Sequence, residues 1–285
     1  MNDWKCYLCG HTEFTERDGQ VRDAPALKIL QCAHCGLVTL SSLSHIQAGF
    51  YEESNMHGSN VVPMEVWLRD TDWDDQRRVD MLKPMLANKN VLDFGCGAGG
   101  FLSKAQFLSN SMVGIELERR VREFWAGKIC IHSDLDDAGG GFDLITAFHV
   151  IEHLADPVAM LQALAGKLSK NGRMVVEVPS SEDALLTLYS SSAFQRFTYW
   201  SQHLFLFNAQ TLQDLAERAG LRVISVQQYQ RYPLSNHLHW LSQGKPGGHQ
   251  KWNFLDNVEL NQAYANTLAA IGKCDTLIAH LEQVS

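Results

Sequence analysis

An apolar segment that ends in an acid and a glycine-rich turn is the feature that most limits how this chain can fold. Residues 91–102 read Val-Leu-Asp-Phe-Gly-Cys-Gly-Ala-Gly-Gly-Phe-Leu. The apolar residues around Asp93 predict a buried strand, and those after Gly100 predict the start of a helix. Glycines let backbone N–H groups approach a charged ligand, because no Cβ intervenes. The turn alone is weakly specific, since phosphate-binding and purely structural turns share it.

The residues around this turn alternate between strand-like and helix-like patterns. Short apolar runs predict strands at 90–94, 111–116, 129–132, 142–147, 173–178 and 221–228. Residues 73–86, 157–168 and 211–219 place apolar side chains at helical spacing, with Thr211 as the expected N-cap and Gly220 as the helix stop. The pattern predicts an α/β protein with a mostly parallel sheet and helices on both faces.

Acidic residues follow two further strands of this predicted sheet. Glu116 ends the second strand, 23 residues after Asp93, and Asp134 follows the third. A carboxylate at Glu116 can accept hydrogen bonds from a ribose diol, which NAD and S-adenosylmethionine (SAM) share, and one at Asp134 can accept the adenine amino group. The fourth strand runs into Phe148 and His149 and then a polar helix start. These residues are therefore compatible with either a dinucleotide or an adenosyl cofactor.

In combination these elements resemble the class I SAM-dependent methyltransferases, in the branch with Glu-His-Leu-x-Asp-Pro after the fourth strand (residues 152–157). The resemblance implies a Rossmann-like sheet of seven strands with the last antiparallel, and SAM lying across the strand carboxyl ends. It also implies contacts with methionine, ribose, adenine and sulfonium. Asp93, Gly95, Gly97 and Gly99 would surround the methionine portion. Glu116 would hold the ribose and Asp134 the adenine. Phe148 or His149 would flank the sulfonium. The alternative is an NAD-dependent dehydrogenase.

Four cysteines near the N-terminus form a second motif. Cys6-x-x-Cys9 and Cys32-x-x-Cys35 are separated by 22 residues, and a glycine follows the second cysteine of each pair. Two such knuckles predict a tetrahedral four-thiolate zinc site that is structural, because no position is left for a catalytic water. A redox or metal-free knuckle is the alternative. The motif is similar to the zinc-binding module that precedes many sugar methyltransferases, including C-methyltransferases acting on nucleotide-linked deoxysugars.

Methyl transfer to an O–H, N–H or activated C–H group requires removal of a proton, and histidine is the usual base. His203 is the first candidate, because residues 200–203 resemble a Tyr-x-Glu-His element of the sugar C-methyltransferases. Only the histidine of that element remains here, so O-methylation is slightly favoured over C-methylation. His149 and His153 are the next candidates. In some related O-methyltransferases a pair comparable to Glu152-His153 binds a divalent cation, which leaves such a cation open here.

Acceptor contacts are predicted mainly in a polar, aromatic segment at 232–249. Amide and imidazole groups suit sugar hydroxyls, an indole suits the apolar ring face, and a lysine can hold a phosphate. We predict contacts from Tyr51, Asn236, His237, His239 and Lys245, while an ordinary surface loop with a late antiparallel strand is the alternative. The apolar stripe from Val258 to Leu281 predicts a long C-terminal helix.

These patterns divide the chain into four segments. We predict a zinc-binding module at 1–42, a linker that lines the cleft at 43–74, a SAM-binding methyltransferase domain at 75–232, and a substrate-side loop or strand with a C-terminal helical extension at 233–285. The chain contains no run of about 18 apolar residues and no basic-then-apolar leader. A cytoplasmic protein without a membrane span is therefore expected.

Charge narrows the choice of acceptor. The formal net charge is −8 and the sequence pI is about 5.8, which does not favour a nucleic-acid partner. We expect a small-molecule or glycan acceptor: a sugar, a nucleotide-linked sugar or a glycan end. The alternatives are a zinc-knuckle RNA methyltransferase and a non-catalytic SAM-binding module that supports assembly. The oligomeric state does not follow from the sequence.

Overall fold

Two β-sheets organise the computed structural model, which describes residues 4–46, 51–52 and 61–284. The small sheet consists of β1 (Phe14–Glu16), β2 (Ile29–Cys32), β3 (Val38–Leu40) and β9 (Phe205–Leu206). The large sheet consists of β4 (Asn90–Phe94), β5 (Ser111–Ile115), β6 (Cys130–His132), β7 (Phe142–Phe148), β8 (Leu168–Pro179), β10 (Leu221–Tyr229) and β11 (Thr276–Gln283).

Helices flank the large sheet and extend its C-terminal side. They are α1 (Met64–Leu86), α2 (Gly100–Ala105), α3 (Arg119–Trp125), α4 (Pro157–Lys167), α5 (Ala184–Thr187), α6 (Ser192–Thr198), α7 (Ala209–Arg218), α8 (Leu234–Gln243), α9 (Gly248–Lys251) and α10 (Val258–Ala270). Short 3-10 helices occupy Leu135–Ala138, Ile151–His153 and Asn253–Leu255. None of the helices in the described part of the chain is long and apolar enough to cross a membrane.

The large sheet has the strand order β10-β11-β8-β7-β4-β5-β6. Neighbouring strands from β8 to β6 are parallel, and β11 is antiparallel to both β8 and β10. The predicted Rossmann-like fold class is confirmed, and all six predicted strands are present within a few residues of their expected bounds. Because β4, β5, β7 and β8 are parallel, their carboxyl ends meet at one edge, which is where ligands bind in such sheets.

The predicted long C-terminal helix is wrong over its second half. Helix α10 ends at Ala270, and Gly272 follows with a φ of +69°. Residues 276–279 are all buried in β11, which lies between two other strands. A strand covered on both faces shows a continuous apolar run instead of an alternating one. Such a run cannot be distinguished by periodicity from the apolar stripe of a helix.

Two smaller expectations along the C-terminal half also change. The N-cap of α7 is Asn208 and not Thr211, because the Asn208 side chain accepts the Thr211 backbone N–H at 2.8 Å. Gly220 does end the α7 segment, with a φ of +75°. The polar, aromatic segment after Tyr232 forms helix α8 and not a loop or strand.

The small sheet combines three strands of the N-terminal segment with β9, which lies far along the chain. Strand β3 pairs with β9, with Val38 opposite Leu206 and Thr39 opposite Phe205. The Thr39 hydroxyl also donates to the Leu204 carbonyl at 3.1 Å. Apolar residues of the N-terminal segment share one buried cluster with the large sheet. The boundaries predicted for the four segments remain predictions, but residues 4–42 are joined to the rest by a sheet and a core.

Candidate active site

The glycine turn after β4 packs closely against neighbouring parts of the chain, and the approach of its backbone to a charged ligand remains a prediction. Gly95 and Gly97 adopt φ values of +69° and +52°, in the left-handed region that favours glycine. A Cβ on Gly95 would lie 2.4 Å from Val150 Cγ2. The backbone N–H groups of Gly95 and Cys96 both donate to the Ile115 carbonyl, at 2.9 and 3.0 Å. The turn is therefore fixed against the end of β5.

Two carboxylates stand beside this turn. Asp93 is buried at the end of β4 and accepts a hydrogen bond from the Thr146 hydroxyl at 2.7 Å. Burial raises the pKa of Asp93 to about 7. Glu116 follows β5 and accepts the backbone N–H groups of Gly97 and Glu118, both at 2.9 Å. Burial also raises the pKa of Glu116, and a carboxylate has lone pairs left for a ribose diol after two such bonds.

A cavity of about 90 Å³ lies over the turn, with Asp93, Gly97 and Phe148 among its lining residues. It is smaller than the roughly 300–1,000 Å³ of most small-molecule sites. Trp67 and Arg78 of helix α1 also line it, so the side chains of α1 occupy part of the space above the turn.

The remaining predicted cofactor residues lie along the same sheet edge. Phe148 is buried at the end of β7 beneath the guanidinium of Arg78, which lies 4.6 Å from the ring centroid. Asp134 is exposed after β6, and one of its carboxylate oxygens accepts the Asp136 backbone N–H at 2.9 Å. The arrangement agrees with a ligand lying across the carboxyl ends of β4 to β7. The individual cofactor contacts remain predictions.

His149 follows β7 with a φ of +55°, an uncommon backbone conformation for a histidine. Its Nδ1 lies 3.2 Å from Glu152 Oε1, and its Nε2 lies 3.2 Å from Glu177 Oε1 and 3.1 Å from Arg231 Nη1. Burial lowers the pKa of His149, but the hydrogen bonds to the two carboxylates outweigh it and raise the pKa overall. Both ring nitrogens of His149 are engaged by charged side chains, so the residue is better suited to shaping the site than to accepting a proton.

Sequence reasoning missed Glu177, the centre of a buried ionic network. Arg77 Nη2 donates to both of its carboxylate oxygens, at 2.8 and 2.9 Å, and Arg78 Nη2 donates at 2.7 Å. Burial opposes ionisation, but His149 and the two arginines hold the pKa of Glu177 well below its usual value. A charged residue within the apolar run of β8 is a signal that could have found it. Its partners on α1 are about 100 residues away in sequence, and no local pattern connects them.

The other two predicted catalytic histidines converge on Glu152. The His153 and His203 rings lie 4.9 Å apart, and His153 Nε2 lies 4.0 Å from Glu152 Oε1. One ligand atom from each of the three residues lies within 4.8 Å of the others. Glu152 Oε2 and His203 Nδ1 are buried and have no hydrogen-bond partner within the described ranges. Burial, together with the charge of His153, lowers the pKa of His203 to about 3, so its imidazole is neutral at physiological pH.

Tyr51, predicted to line the cleft, lies against this cluster. Its hydroxyl donates to the His153 carbonyl at 3.5 Å, and its ring packs edge-on to the His153 ring with centroids 6.1 Å apart. Trp200 covers the other side, 5.6 Å from the His203 ring. Of the predicted linker, residues 47–50 and 53–60 lie outside the described residues.

The structure places the predicted acceptor residues of α8 in the interior. His237 Nδ1 lies 2.7 Å from the Tyr264 hydroxyl, and His239 Nδ1 donates to the Lys245 carbonyl at 2.8 Å. Asn236 accepts the Gly248 backbone N–H at 3.2 Å, and only the Lys245 side chain is exposed. The bonds of His239 and Asn236 attach α8 to the residues that follow it, and the bond of His237 attaches it to α10. They give the residues a structural role, and their contact with an acceptor remains a prediction.

The four N-terminal cysteines form one cluster. Cys6 Sγ lies 3.5 Å from Cys35 Sγ, Cys9 Sγ lies 3.5 Å from Cys32 Sγ, and all four sulfurs lie within 4.8 Å of one another. Zinc–sulfur bonds of about 2.3 Å in a tetrahedron require sulfurs about 3.8 Å apart. The cluster fits a zinc ion, as its sequence spacing predicted.

The fold and the glycine turn define the class: the chain is a Rossmann-like SAM-dependent methyltransferase. It belongs to the family described as "Methyltransferase domain", whose profile matches residues 69–226. The tRNA U34 carboxymethyltransferase of Campylobacter jejuni subsp. doylei is 27% identical over 173 residues, covering 55% of this chain and 58% of that relative. The ubiquinone biosynthesis O-methyltransferase of Idiomarina loihiensis is 32% identical over 102 residues, or 31% and 42% of the two chains. The matches thus span about half of the curated relatives.

Solved structures resemble this fold over most of its length. A SAM-dependent methyltransferase from Thermotoga maritima aligns with a TM-score of 0.52 at 18% identity, covering 85% of this chain and 100% of its own. Another from Archaeoglobus fulgidus aligns with a TM-score of 0.50 at 16% identity, covering 83% and 100%. At these identities the likeness concerns the fold alone.

Proposed function

We propose that this enzyme transfers the methyl group of SAM to a hydroxyl of a small polar acceptor: a sugar, a nucleotide-linked sugar or a glycan end. The observation that carries the proposal is the convergence of His153 and His203 on Glu152, close to the end of β7 and the glycine turn. A histidine cluster at this edge supplies the proton acceptor that a hydroxyl nucleophile requires.

In the proposed reaction the acceptor oxygen forms a bond to the methyl carbon while the sulfur–carbon bond breaks, releasing S-adenosylhomocysteine. The hydroxyl proton passes to His203. Burial lowers the pKa of His203 to about 3, so the ring is unprotonated at neutral pH but accepts a proton only weakly. The negative charge of Glu152 favours the protonated form of His203 and so stabilises the proton after transfer. His149 and Arg231 position the acceptor side of the site through their contact at 3.1 Å.

Glu152, His153 and His203 also form a donor set for a divalent cation. One carboxylate oxygen and two imidazole nitrogens suit Mn²⁺ or Zn²⁺. Glu152 Oε2, His153 Nδ1 and His203 Nδ1 have no hydrogen-bond partner in the part of the chain that the structure describes. A cation held there would act as a Lewis acid toward the acceptor hydroxyl. Cation binding by these three residues and proton acceptance by His203 are alternative roles for the same cluster.

A tRNA acceptor is the second candidate function. It is favoured by the name of the Campylobacter jejuni relatives, which are tRNA U34 carboxymethyltransferases. The net charge of −8 counts against it, because a polyphosphate chain binds to basic surfaces.

The test measures S-adenosylhomocysteine release with monosaccharides, sugar nucleotides, oligosaccharides and total tRNA. For the acceptor that turns over, we expect His203→Ala to lower kcat by about 10²–10⁴-fold, as for loss of a general base. The Kd for SAM, measured by calorimetry, should stay the same. His280→Ala, in the middle of β11, is the control.

Unchanged kcat in His203→Ala would rule out both roles for this residue. Turnover that EDTA abolishes and MnCl₂ restores, at constant zinc content, would assign the cluster to a cation. Turnover on tRNA alone would replace the sugar proposal.

A further inference from the structure

A cleft of about 990 Å³ lies on the other side of helix α1 from the glycine turn. Its walls are the N-terminal half of α1, the end of β10 with the residues after it, and α9 and α10. Asp74 and Arg231 line its inner end. Arg231 Nη1 also lies 3.1 Å from His149 Nε2, so Arg231 stands between the cleft and one of the two residues predicted to flank the sulfonium. Its volume matches the upper range of small-molecule sites.

The charges in the cleft are paired within the chain. Arg231 Nε donates to Asp74 Oδ1 at 3.1 Å, and both side chains are only 17% exposed. Arg69 Nη2 lies 3.4 Å from Asp70 Oδ1. Each cation therefore has its own carboxylate, and an incoming phosphate would meet an acid beside each arginine. A ligand without net charge fits such walls better than an anion.

An indole provides an apolar platform in the cleft. Trp73 projects from α1 and is 57% exposed, although a residue of this size is usually mostly buried. Tyr232 lines the cleft as well and is 37% exposed. Aromatic faces of this kind contact the C–H face of a ring while the ring's polar edge stays free for hydrogen bonds.

Amide side chains supply the polar edge. Gln228, Gln230, Gln250, Asn261, Gln262 and Asn266 line the cleft. Asn261 Oδ1 is buried and accepts no hydrogen bond from the described residues. Gln230 uses both its donor and its acceptor within the chain, and Gln262 donates to Asn266 at 2.9 Å, so the inferred hydrogen bond with a ligand hydroxyl depends on Asn261. A buried acceptor without a partner is costly, and a ligand hydroxyl would satisfy it.

We propose that this cleft binds an uncharged, polyhydroxylated ring of the acceptor, with its C–H face on Trp73 and a hydroxyl donating to Asn261. The inference rests on the proposed function, since it takes this ring to be part of the methyl acceptor; Arg231 would lie between the ring and His149. It commits the acceptor to a glycan end or simple glycoside in this cleft. A nucleoside phosphate is the competing occupant.

The experiment is saturation-transfer NMR on the full-length, zinc-loaded protein with S-adenosylhomocysteine. The probes are the methyl glycosides of glucose, galactose, mannose and rhamnose, and UMP as the anionic probe. We expect ring C–H signals from at least one glycoside and little signal from UMP. Trp73→Ala should lower the glycoside signal at least about fivefold, as expected when the stacking surface is removed. Asn261→Leu, which removes the buried acceptor, should also lower it.

Phe107→Ala is the matched control, because Phe107 is 85% exposed and lies outside the cleft. The absence of any glycoside signal, equal signals in wild type and Trp73→Ala, or UMP signals that alone depend on Trp73 would each overturn the proposal. Binding does not require turnover, so the two proposals fail separately. Glycoside binding without SAM binding would sink the proposed function and leave the cleft. SAM binding without glycoside binding would overturn the cleft proposal and leave the proposed function standing.

Discussion

Buried carboxylates in this protein shift their pKa in opposite directions, depending on what faces them. Glu177 faces two arginines and His149, which hold its pKa well below the usual value. Asp183 has no arginine or histidine partner among the described residues. Burial and the nearby charge of Asp275 raise its pKa to about 8. Desolvation acts on both, and only the partners differ. Asp183 also caps α5, accepting the Leu185 N–H at 2.7 Å.

Asp183→Asn should make the free energy of unfolding less dependent on pH. The folded-state pKa of about 8 exceeds the ordinary 3.8, so folding takes up a proton between these values. The stability of the wild type therefore falls as pH rises from about 4 to about 8, by at most about 1.4 kcal/mol per pH unit. Asparagine keeps the cap but cannot ionise. Urea unfolding should find the variant more stable than wild type at pH 8.5, with a smaller difference at pH 5.

Asp156→Asn provides the control for this pH series. Asp156 caps α4, and its hydrogen bond with the Tyr7 hydroxyl chiefly lowers its pKa. Its contribution to stability is present above its ordinary pKa and is lost as pH falls through the lowered one, which is the opposite sign. Parallel stability curves for wild type and Asp183→Asn would contradict the assignment.

At the scale of elements, helix α7 begins with a reciprocal capping box. The Asn208 side chain accepts the Thr211 N–H, and the Thr211 hydroxyl accepts the Asn208 N–H at 2.9 Å. Both residues are good caps, and the sequence alone favoured the wrong one. The choice depends on where β9 ends, and β9 ends at Leu206 because it pairs with the N-terminal sheet.

Asn208→Ala should lower the free energy of unfolding by about 1 kcal/mol, the usual cost of losing an N-cap. Chemical denaturation of the zinc-loaded protein measures it. Gln210→Ala, in the exposed first turn of the same helix, should stay within about 0.5 kcal/mol of wild type. Equal effects of the two substitutions would show that the cap does not limit stability.

For the whole molecule, the small sheet connects the cysteine cluster to the candidate active site. Cys32 ends β2, and β3 pairs with β9, which directly follows His203 and Leu204. The Leu204 N–H donates to the Glu152 carbonyl at 2.9 Å. Order in the N-terminal segment thus fixes the backbone on both sides of His203. SAM would lie at the glycine turn, which follows β4 of the large sheet.

Removal of zinc should therefore impair methyl transfer more than SAM binding. For Cys9→Ser we expect loss of zinc and a fall in turnover of about tenfold or more, because small zinc modules need the metal to fold. The Kd for SAM should change much less. Atomic absorption, the methyl-transfer assay and calorimetry measure the three quantities. Cys130→Ser, exposed and outside the cluster, is the control. Equal losses of SAM affinity and turnover would contradict the separation.

The local features of this protein were predictable because they depend on residues close in sequence. The glycine turn, the acids after β4 and β5 and the paired cysteines each combine a short spacing with a chemical requirement. The predicted strands were found because apolar runs bounded by glycine and polar residues are strong local signals. The conformation of residues 276–283 was not predictable in this way, because burial on both faces removes the periodicity that identifies a strand.

By itself, the sequence determined the class of fold, the glycine turn after β4 and the four-sulfur cluster. Only the tertiary structure decided that Glu177 would pair with Arg77 and Arg78. It also decided that His203 would lie against His153 and Glu152, and that Trp73 would face an open cleft. These groups are 50 to 100 residues apart. They meet because the carboxyl ends of the parallel strands lie at one edge of the sheet. This follows from the topology of the chain, which no local sequence pattern shows.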